Sequence, residues 1–397
     1  MTSYNTLIVG AGPAGCAAAY DLAQAGRRVL LLDRRSFPRH KACACGLTRK
    51  TLAALRYSVE PVTERVCHEI VLQQASDDAT KREVHVRTRN PICAMAVRER
   101  FDAFCLQQTL AAGRNGGSVT LLKIESITAI RETADGIELN IETAEGPHTF
   151  SAPVLIGADG SNGQTRRLLH QQSEPAWYAR GFALEACVPY TALPAPLPAG
   201  DAPHDLVFDF APLPGGYGWL FPKGDHINIG VGAFAPAADE TDTNLKRVTR
   251  QLLAEYTTHK LGVSLDAVHA QITGQYLGMG GDAYTPQGRV LLAGDAAGLV
   301  DPLTGEGIHS ALVSGQAAAA AILSNTRDVA AAYARQLQPL QQTLAFSARA
   351  ARSFYREPER GFRAMRNPLL RRVILKTYAD GLPATKLIAG LAKLFAR

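Results

Sequence analysis

The stretch Leu7-Ile8-Val9-Gly10-Ala11-Gly12-Pro13-Ala14-Gly15 joins a short apolar run to three spaced glycines, and an alanine-rich segment follows it. The apolar run predicts a buried parallel strand, and residues 14–25 predict a helix. Gly10 permits a tight turn, Gly12 lets the backbone approach a pyrophosphate closely, and Gly15 lets the helix pack on the strand. A second apolar run ends at Asp33, where a carboxylate can accept hydrogen bonds from both hydroxyls of a ribose. The stretch therefore predicts a dinucleotide-binding unit.

A second segment, much later in the sequence, favours FAD over NAD as the dinucleotide. Residues 289–293 predict another buried strand, Gly294-Asp295 follows directly, and residues 311–323 predict a helix of small residues. An acid at position 295 can hold the ribitol chain, which only a flavin cofactor has. Backbone amides near Gly305 and Gly307 can stabilise negative charge at N1 and O2 of the flavin.

Several motifs carry a resemblance to a known family. They are Phe37-Pro38-Arg39 with Lys41, Cys43 and Gly46-Leu47; Arg98-x-x-Phe101-Asp102; Gly157-Ala158-Asp159-Gly160; Tyr217-Gly218-Trp219-Leu220-Phe221-Pro222; and Gly294-Asp295 with Pro302-Leu303-Thr304-Gly305-Glu306-Gly307. Over residues 4–325 the chain resembles FAD-dependent oxidoreductases of the p-hydroxybenzoate hydroxylase fold, and among them the geranylgeranyl reductase family. The resemblance implies a flavoenzyme that reduces carbon-carbon double bonds of an isoprenoid or polyene lipid.

The resemblance also implies the positions of cofactor and substrate. It places Arg98 against the FAD phosphates, Asp295 against the ribitol and Pro302 beside the isoalloxazine ring. The full cofactor-binding set that we predict is Gly10, Gly12, Pro13, Ala14, Gly15, Asp33, Arg34, Cys45, Gly46, Arg98, Asp159, Gly294, Asp295, Pro302, Gly305, Glu306, Gly307 and Ile308. The predicted lipid pocket over the flavin is formed by Tyr217, Trp219, Phe221 and Pro222.

The cysteine-containing loop departs from the family pattern. The family usually has Lys-Pro-Cys-Gly followed by further glycine, whereas this chain reads Lys41-Ala42-Cys43-Ala44-Cys45-Gly46. Because glycine reaches positive φ angles at little cost, its loss predicts a differently shaped loop.

Double-bond reduction needs a proton donor, and four residues are candidates for this catalytic role: Tyr217, Cys43, Cys45 and His309. Tyr217 carries an acidic hydroxyl in the predicted pocket, although a buried tyrosine often only satisfies a core hydrogen bond. Lys41 and His40 are cations beside the two cysteines that could lower a thiol pKa and activate it, although a Cys-x-Cys in a loop is more often inert. His309 directly follows the flavin-facing glycines. The sequence does not choose among the four.

The order of predicted elements gives an α/β (mixed α+β) fold, in which a Rossmann-type FAD-binding domain is interrupted by an antiparallel substrate sheet and closed by a C-terminal helical tail. The predicted bounds are 1–65, 98–170 and 282–340 for the FAD-binding domain, 66–97 and 171–281 for the substrate sheet, and 341–397 for the tail. The proline-rich stretch 189–203 is expected on the surface.

Positive charge is concentrated in the tail. The net charge is +6, and residues 348–397 contain twelve Lys or Arg but three acids. Apolar residues lie among these charges, and Pro368 and Gly381-Leu382-Pro383 separate short predicted helices. Such a tail can pack on the body of the protein, lie on an anionic membrane surface, or bind an acidic carrier protein. No recognisable nucleic-acid-binding fold accompanies the charge, so we expect no nucleic-acid partner.

The sequence favours a reducing, cytoplasmic compartment. The strand-glycine-helix unit begins almost at Met1, and no uncharged run reaches the ~18 residues of a membrane span. Seven cysteines, without zinc-type pair spacing, fit reduced thiols and no metal site. If the tail binds lipid, we expect the protein at the inner face of the membrane.

Two other functions stay open. A monooxygenase on the same fold would hydroxylate or epoxidise a hydrophobic, aromatic or carrier-tethered substrate. A halogenase is less favoured, because halogenases carry Trp-x-Trp-x-Ile-Pro where this chain has Tyr217 and Phe221. A flavin-binding partner protein without catalysis is the third class. The single dinucleotide fingerprint indicates that NAD(P)H, the expected reductant, visits a transient site, and ferredoxin is an alternative donor.

Overall fold

The computed structural model describes residues 4–74, 82–171, 173–195, 205–213, 215–234, 242–365 and 367–381, so the predicted surface stretch 189–203 and the predicted tail lie partly outside the described residues. The α-helices are α1 Pro13–Gln24, α2 Arg49–Ala54, α3 Arg98–Leu110, α4 Gln164–Leu169, α5 Asp242–Leu261, α6 Ile308–Leu323, α7 Val329–Arg356, α8 Pro358–Met365 and α9 Pro368–Asp380. The strands are β1 Thr6–Val9, β2 Arg28–Asp33, β3 Gly46–Thr48, β4 Thr63–Cys67, β5 Glu69–Gln74, β6 Arg82–Arg87, β7 Cys93–Ala96, β8 Ser118–Lys123, β9 Ser126–Glu132, β10 Ile137–Thr143, β11 Gly146–Ala152, β12 Val154–Gly157, β13 Ala179–Pro189, β14 Leu206–Asp209, β15 Gly216–Pro222, β16 His226–Ala233, β17 Thr273–Met279 and β18 Val290–Leu292.

A five-stranded parallel sheet, in the order β18-β12-β1-β2-β8, forms the centre of the Rossmann-type domain. Its middle strands are apolar and buried because helices and other chain segments cover both faces. Helices α1 and α6 cross each other closely, since a Cβ on Gly315 would lie 2.1 Å from the carbonyl oxygen of Ala14. This contact packs the start of α1 against the middle of α6. The predicted Rossmann-type domain is confirmed.

The predicted substrate sheet is a seven-stranded sheet in the order β17-β13-β16-β15-β14-β5-β6. All neighbouring strands in it are antiparallel except β14 and β5, which run parallel. Strands β5 and β6 come from the first interruption of the FAD-binding domain, and β13 to β17 come from the second. One face packs on α5, and the other turns toward the cofactor domain and the C-terminal helices. The predicted interrupted architecture is confirmed.

A small antiparallel sheet, β3-β7-β4, links the two parts of the site. Strand β3 begins at Gly46, directly after the cysteine loop, and β7 ends two residues before Arg98. The pairing of Gly46 with Met95 therefore holds the cysteine loop next to the start of α3. A separate three-stranded sheet, β9 to β11, lies outside this region.

The C-terminal helices differ from the predicted series of short helices. Helix α7 is one element of 28 residues that continues through position 356, so the predicted bound between 340 and 341 falls inside it. The Asp328 side chain caps its first turn by accepting a hydrogen bond from the Ala331 amide at 2.8 Å. Helices α8 and α9 are short, as predicted, and α9 ends at Gly381 with φ of 68°. Their apolar residues, including Phe362 and Leu375, pack in the core beside the seven-stranded sheet.

None of the helices in the described ranges combines the length and apolar character that crossing a membrane requires.

Candidate active site

The nucleotide end of the site is built by the turn between β1 and α1. Gly10 has φ of 102°, and a Cβ on it would lie 2.3 Å from the Ala158 carbonyl oxygen. A Cβ on Gly15 would lie 1.8 Å from the Gly10 carbonyl oxygen, so the helix can sit on the turn only with glycine there. No side chain caps α1, which begins at Pro13, so its first amides are available to an anion. The turn has the geometry that the sequence predicted.

Asp33 lies beside this turn at the end of β2. Its Oδ2 accepts a hydrogen bond from the Ala11 amide at 2.7 Å, and its Oδ1 accepts one from the Arg35 amide at 2.8 Å. These bonds fix the carboxylate next to the phosphate-binding turn. Each oxygen keeps a further lone pair for a ribose hydroxyl.

Basic side chains converge next to the start of α1. Arg98 is buried and forms a two-point ion pair with Asp102, at 2.9 Å and 2.7 Å. Arg39 reaches the same carboxylate at 3.2 Å. Burial alone would raise the pKa of Asp102, but Arg98 and Arg39 outweigh it and hold that pKa below its usual range. Burial and the charge of Arg98 lower the pKa of Lys41, which lies in the same cluster. The cluster would attract an anionic group.

The second wall of the site is the loop before α6. Gly305 has φ of 68°, and Gly307 starts α6 without a side-chain cap. Asp295 lies in the turn that directly follows β18. Together with Gly305 and Gly307 it lines a cavity of about 150 Å³. Within the described ranges, the Asp295 carboxylate has no hydrogen-bond donor of its own, whereas the Tyr178 hydroxyl donates to its backbone carbonyl at 3.1 Å. The backbone is thus fixed while the carboxylate faces the cavity.

This smaller cavity brings together half of the predicted cofactor-binding residues. Its lining includes Pro13, Cys45, Gly46, Arg98, Asp295, Gly305, Glu306, Gly307 and Ile308. Gly294, with φ of 60°, instead gives room for close packing, because a Cβ there would lie 3.2 Å from the Ala14 side chain and 3.4 Å from that of Ala311.

Three further predicted cofactor-binding residues, like Asp33 and the turn at Gly10, lie outside the linings of both cavities. Arg34 is exposed and lines neither cavity of the site. The Asp159 carboxylate turns inward and accepts hydrogen bonds from the Thr165 amide and hydroxyl, at 2.9 Å and 3.1 Å, so it supports the start of α4. Pro302 is half-buried and lies outside both cavity linings, because the adjacent loop turns Asp301 and Leu303 to the large cavity instead.

The aromatic motif lies on β15, and strand alternation sorts its side chains. Tyr217, Trp219 and Phe221 point to one face and line the smaller cavity. Leu220 points to the other face, into the core beside α5. Pro222 was predicted in the pocket, but it lies outside both cavity linings, because successive strand residues face opposite sides and Pro222 shares the side of Leu220. Trp219 lies across β16, where a Cβ on Gly230 would come within 2.0 Å of its ring.

A second, larger cavity of about 820 Å³ adjoins the first. The sheet side contributes Ile70, Leu72 and Phe210, and the helix side contributes Val313, Leu344 and Phe354. Five residues line both cavities, namely Phe208, Tyr217, Thr304, Glu306 and Tyr378. The ring of Phe208 lies 5.2 Å from that of Tyr217 and 6.2 Å from that of Tyr378, so aromatic rings form the partition between the cavities. Because Tyr378 belongs to α9, the C-terminal helices are part of the site.

Comparison with known proteins agrees with this geometry. The FAD binding domain family matches residues 3–332. A geranylgeranyl diphosphate reductase from Rhodobacter capsulatus is 30% identical over 328 residues, which cover 81% of this chain and 75% of the relative. The chain belongs to the geranylgeranyl reductase family of FAD-dependent oxidoreductases.

Solved structures show the same fold as this reductase-family protein. A geranylgeranyl bacteriochlorophyll reductase-like protein from Thermoplasma acidophilum has a TM-score of 0.69 at 20% identity and covers 88% of each chain. A flavin-dependent brominase has a TM-score of 0.72 at 17% identity and covers 100% of each chain. At these identities the likeness concerns the fold alone, so it does not separate reduction from halogenation.

The cysteine loop of this geranylgeranyl reductase family member retains a positive φ angle despite its missing glycines. Cys45 itself adopts φ of 46°, a conformation that costs a non-glycine residue of the order of 1 kcal/mol or more. The Lys223 ammonium donates hydrogen bonds to the carbonyls of Ala44 and Ala96, which ties the loop to the strand before α3. Lys223 is 1% exposed, and the sequence analysis did not identify it.

The expected activation of the thiols by nearby cations is wrong for Cys45. Burial raises the pKa of this thiol above its usual range, and the charges of Lys223 and Arg98 are too weak to reverse that effect. Cys43 is half-buried, lines the smaller cavity, and accepts a hydrogen bond from the Cys45 amide at 3.3 Å.

The other two predicted proton donors are also weakened by their surroundings. The Tyr217 hydroxyl donates to the Thr304 carbonyl, and burial together with Asp301 raises its pKa above the usual range. His309 lines the large cavity, away from the cofactor side. Burial and the charge of Lys50 lower the pKa of His309 to about 3, so its imidazole is neutral and carries no proton to donate as an imidazolium.

A buried carboxyl group that sequence reasoning missed faces the smaller cavity. Glu185, on β13, accepts a hydrogen bond from the Cys43 amide at 2.9 Å and is 6% exposed. The Trp219 indole donates to Asn228 at 2.7 Å, which orients the Asn228 amide group toward Glu185. Burial raises the pKa of Glu185, although the Cys43 amide and Asn228 partly oppose the shift. No sequence motif surrounds Glu185, so only the position of β13 beside the cysteine loop reveals it.

Proposed function

We propose that this protein reduces carbon-carbon double bonds of an isoprenoid or polyene lipid. The observation that carries the proposal is the cavity of about 820 Å³, which adjoins the cofactor-side cavity across an aromatic partition. Ligand sites for small molecules commonly measure ~300–1,000 Å³, and this cavity lies within that range, so it has the size of a site for a ligand such as a prenyl chain. Aliphatic and aromatic side chains dominate the lining, and burying a hydrocarbon chain there contributes about 25 cal/mol per Å² of apolar surface.

The residues of the turn after β1 and those around the smaller cavity fit FAD. The uncapped amides of α1 and the Arg98 guanidinium suit the pyrophosphate, Asp33 suits a ribose, and Asp295 suits the ribitol chain. The amides of the loop at Gly305 to Gly307 suit the polar edge of the ring system. When bound and reduced, FAD supplies a hydride to a carbon of the substrate.

Glu185 is the residue that we propose as the proton donor. Its carboxyl group faces the cavity beside Trp219, and its raised pKa keeps it protonated to a higher pH than an exposed glutamate. The proton passes from a carboxyl oxygen to one carbon of the double bond, while the other carbon takes up the hydride. The Cys43 amide and Asn228 stabilise the carboxylate that remains, and a proton from solvent restores the acid.

The aromatic side chains on β15, Trp219 and Phe221, which we call the aromatic strip, would also stabilise charge during the protonation step. Positive charge that develops on a substrate carbon is attracted to ring faces, which contributes ~0.5–2 kcal/mol for each well-placed ring. Trp219 and Phe221 line the same cavity as Glu185. The strip therefore favours a cationic transition state as well as an apolar substrate.

We propose NAD(P)H as the reductant, acting from a transient surface site. The sequence contains one dinucleotide fingerprint, at Gly10 to Gly15, and we propose that this fingerprint binds FAD. NAD(P)H would therefore bind at a different place on the protein.

The test is an anaerobic reaction of the reduced, FAD-loaded protein with geranylgeranyl lipids. We expect the flavin absorbance to recover with each unsaturated lipid but not with its fully saturated analogue, and the product to gain two hydrogen atoms per double bond. No recovery until oxygen is added, followed by an oxygenated product, would replace the proposal with a monooxygenase. Recovery that is equal for saturated and unsaturated lipids, without product, would leave a flavin-binding partner protein.

A further inference from the structure

The start of α9 exposes large apolar side chains beside basic ones. Leu369 is 44% exposed and Leu370 is 36% exposed, and Arg371 and Arg372 follow directly. We call these four residues the α9 patch. The Asn367 side chain accepts hydrogen bonds from the amides of both leucines, at 2.9 Å and 3.3 Å, which fixes the backbone of this turn. Leu369 and Arg372 are three positions apart and so share one face of the helix.

The large cavity reaches the surface next to the α9 patch. Leu370 and Arg371 line this cavity, and so do the exposed residues Ser353, Glu357 and Arg360 at the end of α7 and in α8. The opening therefore lies between these helices. A hydrocarbon chain that enters here passes the exposed leucines first.

The charge around this opening is positive. Arg352 and Arg356 are exposed on α7 and Arg372 on α9, and Arg371 is half-buried beside them. Two exposed acids, Glu357 and Glu359, lie among these residues, and Glu357 forms an ion pair with Arg360 at 3.2 Å, so the arginines still outnumber the acids. The whole region from 348 to 397 has twelve basic residues and three acids. Each basic residue near an anionic bilayer contributes ~1 kcal/mol of attraction, and neighbouring leucines add apolar burial at the headgroup boundary.

We propose that the α9 patch docks this protein on an anionic membrane surface, so that a lipid substrate moves from the bilayer into the large cavity without crossing water. This inference rests on the proposed function. A bilayer is favoured over an acidic carrier protein because it provides partners for both the exposed leucines and the arginines, and because the apolar cavity opens at the same place.

The experiment measures binding of the full-length, FAD-loaded protein to sedimented vesicles of phosphatidylcholine, with and without phosphatidylglycerol. Leu369→Ser and Arg372→Gln change docking residues that do not line either cavity. We expect each to weaken binding to anionic vesicles about fivefold, and the pair about twenty-five-fold. The matched controls are Leu110→Ser, at a residue that is 41% exposed, and Arg114→Gln, which should bind as the wild type does.

Two results would overturn the inference. One is wild-type protein that stays in the supernatant with anionic vesicles, which would leave an acidic carrier protein as the occupant of the patch. The other is equal weakening by the α9 substitutions and by their controls.

Turnover separates this inference from the proposed function. The Leu369→Ser, Arg372→Gln double variant should reduce detergent-dispersed lipid at the wild-type rate and vesicle-embedded lipid more slowly. If the wild type reduces neither preparation, the proposed function fails, while vesicle binding still decides the docking inference.

Discussion

Replacement of Glu185 by glutamine tests whether this buried group holds a proton. Glutamine has nearly the same shape and mimics the protonated acid. The pKa of Glu185 is raised by burial, so the folded protein keeps this proton at pH values where the unfolded chain, with an ordinary pKa near 4.5, has lost it. A raised folded pKa means that the wild type loses stability as pH rises from the unfolded pKa to the folded one.

The size of the effect follows from one proton. Within that window the free energy of unfolding of the wild type falls by up to about 1.4 kcal/mol per pH unit relative to Glu185→Gln. Above the folded pKa the difference becomes constant. Urea unfolding, followed by fluorescence between pH 4.5 and 8, measures the free energy of unfolding of each protein. The difference between the two proteins isolates Glu185, because Asp159 and the other titrating groups are present in both and cancel.

Glu174→Gln is the matched control. Burial alone would raise the pKa of Glu174, but its hydrogen bonds with Arg166 outweigh burial and lower that pKa. The stability from this group is lost only as the pH falls below its usual range, and its arginine partners stay charged, so the control should differ from wild type by a constant amount from about pH 5 to 8. A constant difference for Glu185→Gln as well would refute the argument, since Glu185 would then be ionised equally in both states. If Glu185 is the donor, its replacement should also lower turnover about 10²- to 10⁴-fold with unchanged FAD content.

Three further substitutions examine the rest of the site. Asp295→Ala should weaken FAD binding about tenfold or more, because a charge-assisted hydrogen bond contributes ~1.5–3 kcal/mol. The flavin-to-protein absorbance ratio after gel filtration measures this loss. Full flavin content would contradict the proposed bond between Asp295 and the ribitol. Trp219→Ala should reduce turnover far more than FAD content, because the indole lines the proposed substrate pocket. Trp219→Phe should have an intermediate turnover. Loss of flavin from Trp219→Ala would count against a place for Trp219 in the substrate pocket. His309→Gln should leave the shape of the pH profile of turnover unchanged between pH 5 and 9, since the imidazole with a pKa of about 3 stays neutral there. Loss of the acidic limb of that profile would show that His309 titrates in this range.

Local motifs were reliable where their chemistry depends on a few consecutive residues. The turn from Gly10 to Gly15 has the expected positive φ and close packing, because both are properties of the adjacent backbone. Three side chains of the aromatic motif on β15 line the smaller cavity, whereas Pro222 does not, because successive residues of a strand face opposite sides.

Side chains brought together from distant segments were missed. Glu185 accepts a hydrogen bond from the Cys43 amide although 142 positions separate them, and Arg39 forms an ion pair with Asp102. The thiol prediction failed for Cys45 for a related reason. The sequence shows the neighbouring cations, but the depth of burial, which dominates the thiol pKa, depends on how the loop packs.

The sequence by itself determined the cofactor class, the interrupted α/β architecture and the family. These depend on spaced glycines, on an acid that follows a strand, and on apolar residues that recur every two or every 3.6 positions. All three act through local backbone geometry. Tertiary structure alone decided that the basic C-terminal helices wall a lipid-sized cavity, that Tyr378 joins its partition and that a glutamate faces the cofactor side. Those features depend on which surfaces meet when distant segments pack, and burial and distance between such segments have no local sequence signal.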